Sequence, residues 1–238
     1  MEHKRLTLFA GHYGSGKTNL ALNWARDMKN RGESVIVADL DIVNPYFRTK
    51  DAEADLRKEG IGLIVSEYAN SNLDVPAMPG EIYSLVERRD VCGVMDIGGD
   101  DRGALALGRY AGDIAREDNY EMLFVVNFCR PLTRTAAEAL EVLREIETAG
   151  SLPFTAIVNN TNLGPATTPE DVLGSLESTE ELAKLCGLPV KMTGAERRLE
   201  PALRDKIENL FPIEIMKLYY MQKEGTHIGK INLSGGAL

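Results

Sequence analysis

Gly11, Gly16, Lys17 and Thr18 stand in the spacing G-x-x-x-x-G-K-[ST] within the stretch AGHYGSGKTN at 10–19. Each residue type has a reason to be there. Glycines let consecutive backbone N–H groups turn around an anion, and the N-terminus of a following helix adds partial positive charge. A lysine at this place reaches the outer phosphates of a nucleotide, and the next hydroxyl can ligate Mg²⁺. Gly14 and Ser15 complete the loop. The motif requires a strand before it and a helix after it, and the flanks agree: LTLFA (6–10) precedes it, and an amphipathic pattern runs through 18–31.

Acidic residues supply the second half of the chemistry. Asp96 ends the apolar run VCGVMD and is followed by glycines, giving Asp96-x-x-Gly99, a carboxylate placed to hold the shell of a Mg²⁺ ion. Asp39 and Asp41 end VIVADLD. Alternation along a strand puts both carboxylates on one face, which is costly unless a cation or water network shares them. The following segment, IVNPYFRT, is rich in turn residues and carries Arg48, whose charge could serve a phosphate.

Short aliphatic runs recur at 6–10, 34–41, 61–67, 91–97, 120–127, 154–160 and 189–194. Most are continuously apolar, as strands buried on both faces must be. Helical periodicity fills 18–31, 49–59, 80–88, 103–117, 133–149, 169–186 and 199–210. Crossovers of that length join parallel neighbours, so the pattern predicts an α/β, three-layer α/β/α architecture with a mostly parallel central sheet. Ligands in such folds bind at the carboxyl ends of the strands, where the glycine loop and the three aspartates fall.

The 238 residues, 44% hydrophobic, suffice for one core, so 1–238 reads as a single nucleotide-binding domain with a frayed tail at about 224–238. A net charge of −9 does not favour nucleic acid as a partner. Cys92, Cys129 and Cys186 form no Cys-x-x-Cys pair, which fits a reducing, cytoplasmic setting and offers no zinc or cluster framework within one chain. No window approaches the ~18 apolar residues of a membrane span. The segment FPIEIMKLYYMQK (211–223) reads as a helix whose apolar residues nearly encircle it, better suited to core or dimer packing than to a membrane anchor.

Taken together, GHYGSGKTN, VADLDIVNPYFR and VMDIGGD resemble, in order and spacing over roughly residues 5–200, the MinD/ParA-type branch of the P-loop NTPases, a group that includes cobyrinic acid synthase-like and nitrogenase iron protein-like domains. The resemblance implies that Gly11, His12, Gly14, Ser15, Gly16, Lys17, Thr18 and Asn19 contact the nucleotide. It implies that Thr18, Asp39 and Asp96 serve Mg²⁺, and that Lys17, Asp41 and Asp96 carry catalysis, Asp41 orienting the attacking water. Asn159 sits where such proteins often read adenine, with Asn160 its rival. A nucleotide-dependent homodimer acting on a protein client is also implied. One position departs from the pattern: the second lysine that the family carries after the first glycine is His12 here, and an imidazole is mostly uncharged at pH 7.

The strand end NNTN lacks the N-K-x-D tetrapeptide of guanine readers, which favours ATP over GTP. The expected function is therefore an ATP-binding switch with slow Mg²⁺-dependent hydrolysis. A small-molecule kinase using Arg130 and Arg134 as a lid, and a nucleotide sensor without turnover, are the alternatives. Arg197 and Arg198, after the last strand, could approach a base or a client.

Overall fold

The computed structural model describes residues 2–40, 52–65, 80–99 and 101–215. Asp41 and Arg48 lie outside the described residues, as does the chain from residue 216 onward.

The strands β1 (Leu6–Ala10), β2 (Val35–Leu40), β3 (Gly62–Val65), β4 (Cys92–Ile97), β5 (Tyr120–Val126), β6 (Ala156–Asn159), β7 (Val190–Glu196) and β8 (Leu210–Ile213) form one sheet. Their order is β3-β2-β4-β1-β5-β6-β7-β8, and every neighbouring pair is parallel. This is the α/β fold of P-loop NTPases, as the alternation of strand and helix predicts. From β1 the chain runs outward to β2 and β3, returns to β4, and then crosses β1 to build the other half. The crevice at such a reversal lies at the carboxyl ends of the central strands, directly above β1 and β4.

Side chains alternate across the sheet and sort two cores. Leu6, Leu8, Ala10, Ala38, Leu40, Met95 and Ile97 face one layer, which is built by α3 (Gly80–Glu87), α4 (Asp101–Gly108), α5 (Ala111–Glu117), α6 (Ala136–Gly150) and α8 (Leu176–Cys186). Phe9, Val35, Val37, Val94, Leu123 and Val125 face the opposite layer, α1 (Lys17–Asn30) and α2 (Glu53–Lys58). Asp39 is two residues beyond Val37 and Asp96 two beyond Val94, so both carboxylates fall on the α1 face.

Four of the expected elements are corrected. The segment from 211 begins as strand, not helix: Phe211 and Ile213 are buried, and Phe211 meets Trp24 of α1 edge to face with ring centroids 5.6 Å apart. The Asn23 amide then bonds both backbone groups of Glu214, donating to its carbonyl at 2.9 Å and accepting from its N–H at 2.8 Å. Pro212, unfavourable in a central strand, is tolerated at the sheet edge. The helix expected over 199–210 shrinks to α9 (Glu200–Leu203), because Val172, Ala195, Leu199, Leu203 and Ile207 gather into a small third core against α7 (Pro169–Gly174). The patterns over 103–117 and 169–186 each divide into two helices, at Tyr110 and Ser175.

Candidate functional site

The glycine loop leaves β1 at Gly11 and enters α1 at Lys17. Gly16 sits at φ 87°, in the left-handed region where a side chain is strained. A side chain there would also run into the Asn160 amide. The first turn of α1 has no acidic residue and its N-cap makes no side-chain hydrogen bond, so no carboxylate within that turn offsets the positive end of the helix. By contrast, α6 and α7 close their own N-termini with reciprocal Thr135–Glu138 and Thr168–Asp171 capping boxes.

Two side chains from distant strand ends hold this loop. Arg130, after β5, donates from Nε to the Gly14 carbonyl at 3.1 Å, and Asn160, after β6, donates from Nδ2 to the Ser15 carbonyl at 2.7 Å. A peptide unit is planar and trans, so a carbonyl fixed on one side directs the next N–H to the other. The Asn160 bond thus turns the Gly16 N–H away from β6. The Ser15 hydroxyl is buried and has no hydrogen-bond partner among the described residues.

Lys17 and Thr18 are buried at the start of α1. The Thr18 hydroxyl donates to Asp96 Oδ2 at 2.6 Å, joining the helix to the end of β4. Asp39 is the register partner of Asp96 in the β2–β4 ladder, which brings the second carboxylate beside the first. Thr18, Asp96 and Asp39 offer oxygen donors only, the chemistry that a hard cation such as Mg²⁺ requires.

The loop after β4 closes the other side. A side chain at Gly99 would overlap the Gly11 carbonyl and come within 2.8 Å of the Tyr13 N–H, so the backbone after Asp96 lies directly on the glycine loop. His12 is half-buried, with Nδ1 3.1 Å from the Tyr13 carbonyl, and Asn19 is half-buried in the first turn of α1, its carbonyl accepting from Asn23.

The two asparagines at the end of β6 diverge. Asn159 is fully buried: it donates to Ser175 Oγ at 2.8 Å, and its Oδ1 accepts from both the N–H and the hydroxyl of Thr161. It organises the turn, while Asn160 reaches the loop. Asn127, at the end of β5, accepts from the N–H groups of Cys129 and Asn162, tying the β5 and β6 ends together. Sequence reasoning gave Arg130 a role only in the alternative kinase reading, as part of a lid, and gave Asn127 no place, because both act through carbonyl and N–H groups that no side-chain motif displays. Arg134 is exposed, and Arg198 donates to the carbonyls of Pro165 and Thr167 at 3.0 and 2.9 Å. Arg197 pairs with Glu200 and Glu214.

No protein-family model and no curated protein sequence matches this chain. Solved structures do. FtsY from Mycoplasma mycoides aligns over 81% of this chain and 60% of its own, with a TM-score of 0.57 at 16% identity. The fold is shared. Chloroplast FtsY from Physcomitrella patens aligns over 82% of this chain and 59% of its own, with a TM-score of 0.56 at 16% identity. FlhF, solved in complex with GMPPNP and Mg²⁺, aligns over 81% of this chain and 66% of its own, with a TM-score of 0.52 at 15% identity. This chain thus matches less than two thirds of the length of either FtsY. Among the described residues no helix is long and apolar enough to cross a membrane.

Proposed function

We propose that the protein binds ATP at the glycine loop and works as a slow Mg²⁺-dependent ATPase, a nucleotide-operated switch of the MinD/ParA type. One observation carries the reading: a glycine loop whose carbonyls are held from behind by Arg130 and Asn160 opens onto buried Lys17 and the Thr18–Asp96 bond. FlhF, a structure of the same fold, was solved with a nucleoside triphosphate analogue and Mg²⁺, which supports nucleotide as the ligand class.

In this reading the loop N–H groups and the N-terminus of α1 wrap the phosphates, and Lys17 neutralises the outer ones. Thr18, Asp96 and Asp39 hold Mg²⁺, which when bound offsets the charge of the phosphate oxygens. Gly99 lies where its backbone can follow a change in the loop, linking phosphate occupancy to the segment after β4. Asp41 orients the attacking water. ATP is preferred to GTP because the β6 end reads Asn160-Thr161-Asn162 and carries no carboxylate for the guanine edge. Exposed Tyr13, Leu132 and Leu163, on loops at the carboxyl ends of β1, β5 and β6, suit a partner surface for a nucleotide-dependent homodimer or a client.

Phosphate release from Mg-ATP and Mg-GTP, with Lys17→Ala as control, tests the proposal. ATP-selective release abolished by the substitution supports it; equal release by the variant contradicts it.

A further inference from the structure

At the opposite end of the sheet from the glycine loop, three residues from separate parts of the chain converge. His3 precedes β1, Glu33 lies in the turn between α1 and β2, and Cys92 opens β4. His3 Nε2 is 3.4 Å from Glu33 Oε1, and Cys92 Sγ is 3.7 Å from Glu33 Oε2. All three donor atoms lie within 4.8 Å of one another.

The geometry points to a binding site for a transition-metal dication of the Zn²⁺ class, formed by His3, Glu33 and Cys92. Zinc bonds of about 2.0–2.3 Å at tetrahedral angles place neighbouring donors roughly 3.3–3.7 Å apart. The His3–Glu33 and Cys92–Glu33 separations, each to a different oxygen of Glu33, are of that size. One nitrogen, one oxygen and one sulfur match a borderline-soft ion and not the hard ions that an all-oxygen set selects. Cys92 is buried, whereas His3 and Glu33 are half-buried, so the site has a protein floor and an open side for a fourth, solvent ligand.

Backbone bonds hold two of the three donors in place. The Glu33 N–H donates to the Met28 carbonyl at 3.2 Å, and the Cys92 N–H donates to the Ser34 carbonyl at 2.8 Å. Arg5, the nearby cation, is committed elsewhere: it pairs with Glu117 and donates to the carbonyls of Leu85, Val86, Arg88 and Val91. The site is distinct from the oxygen set at Thr18. It shares one element with that set, since β4 runs from Cys92 to Asp96 and Ile97, and Glu33 follows the far end of α1, which starts at Lys17. A bound ion would tie the segment before β1, the turn between α1 and β2 and the start of β4 to one another at the end of the sheet away from the glycine loop.

The test is titration of the untagged full-length protein with Co²⁺, followed by Zn²⁺ displacement. The expected result is about one equivalent of Co²⁺ with tetrahedral d–d absorption and a thiolate-to-cobalt charge-transfer band. Both are lost in Cys92→Ser and retained in Cys129→Ser and Cys186→Ser. His3→Ala and Glu33→Gln, at half-buried positions, should each weaken binding at least about tenfold, because even outer-shell partners of metal ligands are worth that much. Absence of the charge-transfer band in the native chain, its survival in Cys92→Ser, or unchanged affinity in both half-buried variants would overturn the site. Nucleotide binding, measured on the same samples, is expected to survive in Cys92→Ser, which separates this inference from the reading of the glycine loop.

Discussion

Asn160 donates to the carbonyl of Ser15 at 2.7 Å, a bond that spans 145 residues of sequence and ties the end of β6 to the glycine loop. Its neighbour Asn159 spends its amide on Ser175 and Thr161. Two adjacent asparagines therefore serve different ends. Asn160→Ala is expected to weaken ATP binding about tenfold, the worth of roughly one hydrogen bond, with a small change in melting temperature. Asn159→Ala should instead cost about 1–3 kcal/mol of stability by orphaning buried polar groups. Calorimetric binding and chemical denaturation of both variants separate the two effects.

Arg130 holds the preceding carbonyl, that of Gly14. Arg130→Ala should weaken nucleotide binding by about tenfold, while Arg134→Ala, an exposed position in the same loop, leaves it unchanged. A kinase lid would give a different pattern, in which both substitutions impair turnover and neither impairs binding.

Asp96→Asn keeps the shape of the Thr18 contact but removes the charge beside Asp39. Turnover is expected to fall roughly a hundredfold, the scale of a lost preorganised electrostatic contact in an active site. The response to Mg²⁺ concentration should shift upward in the same variant. Asp39→Asn should move the Mg²⁺ response in the same direction.

Gly99 and Gly112 make an internal comparison of backbone approach. A methyl group at Gly99 would overlap the glycine loop, whereas one at Gly112, within α5, meets nothing within 4 Å. Gly99→Ala is expected to cost about 1–3 kcal/mol and to impair nucleotide binding. Gly112→Ala should gain up to about 1 kcal/mol from helix propensity alone. Denaturant midpoints with unchanged slopes would report both.

Glu117 is buried against Arg5 and also pairs with Arg89 at 2.7 Å. Removing its charge leaves the Arg5 guanidinium short of a partner. Glu117→Ala is expected to destabilise the fold by about 3–5 kcal/mol, measurable as a large drop in melting temperature. Arg116→Ala, one residue earlier and exposed, should change it little.

The parts of this architecture that are local in sequence were the legible ones. The glycine loop, the aspartates at the ends of β2 and β4 and the apolar runs of seven strands each announce themselves within about ten residues. The eighth strand did not, because it is set by pairing with β7 and by the contacts of Phe211 with Trp24 and of Glu214 with Asn23 on α1, far away in sequence. The same distance hid the braces on the loop: Arg130 and Asn160 reach Gly14 and Ser15 across 116 and 145 residues. The cluster of His3, Glu33 and Cys92 was likewise hidden, since the three residues meet only after the sheet has formed.

The central claim is that the glycine loop binds a nucleoside triphosphate through its backbone and Lys17. Equilibrium binding of Mg-ATP to the native chain and to Lys17→Ala, by calorimetry at fixed ionic strength, tests it most directly. Saturable one-to-one binding that falls at least about tenfold in the variant is the result expected from loss of a charge-assisted contact. No binding to a folded native chain, or equal binding to the variant, would contradict it.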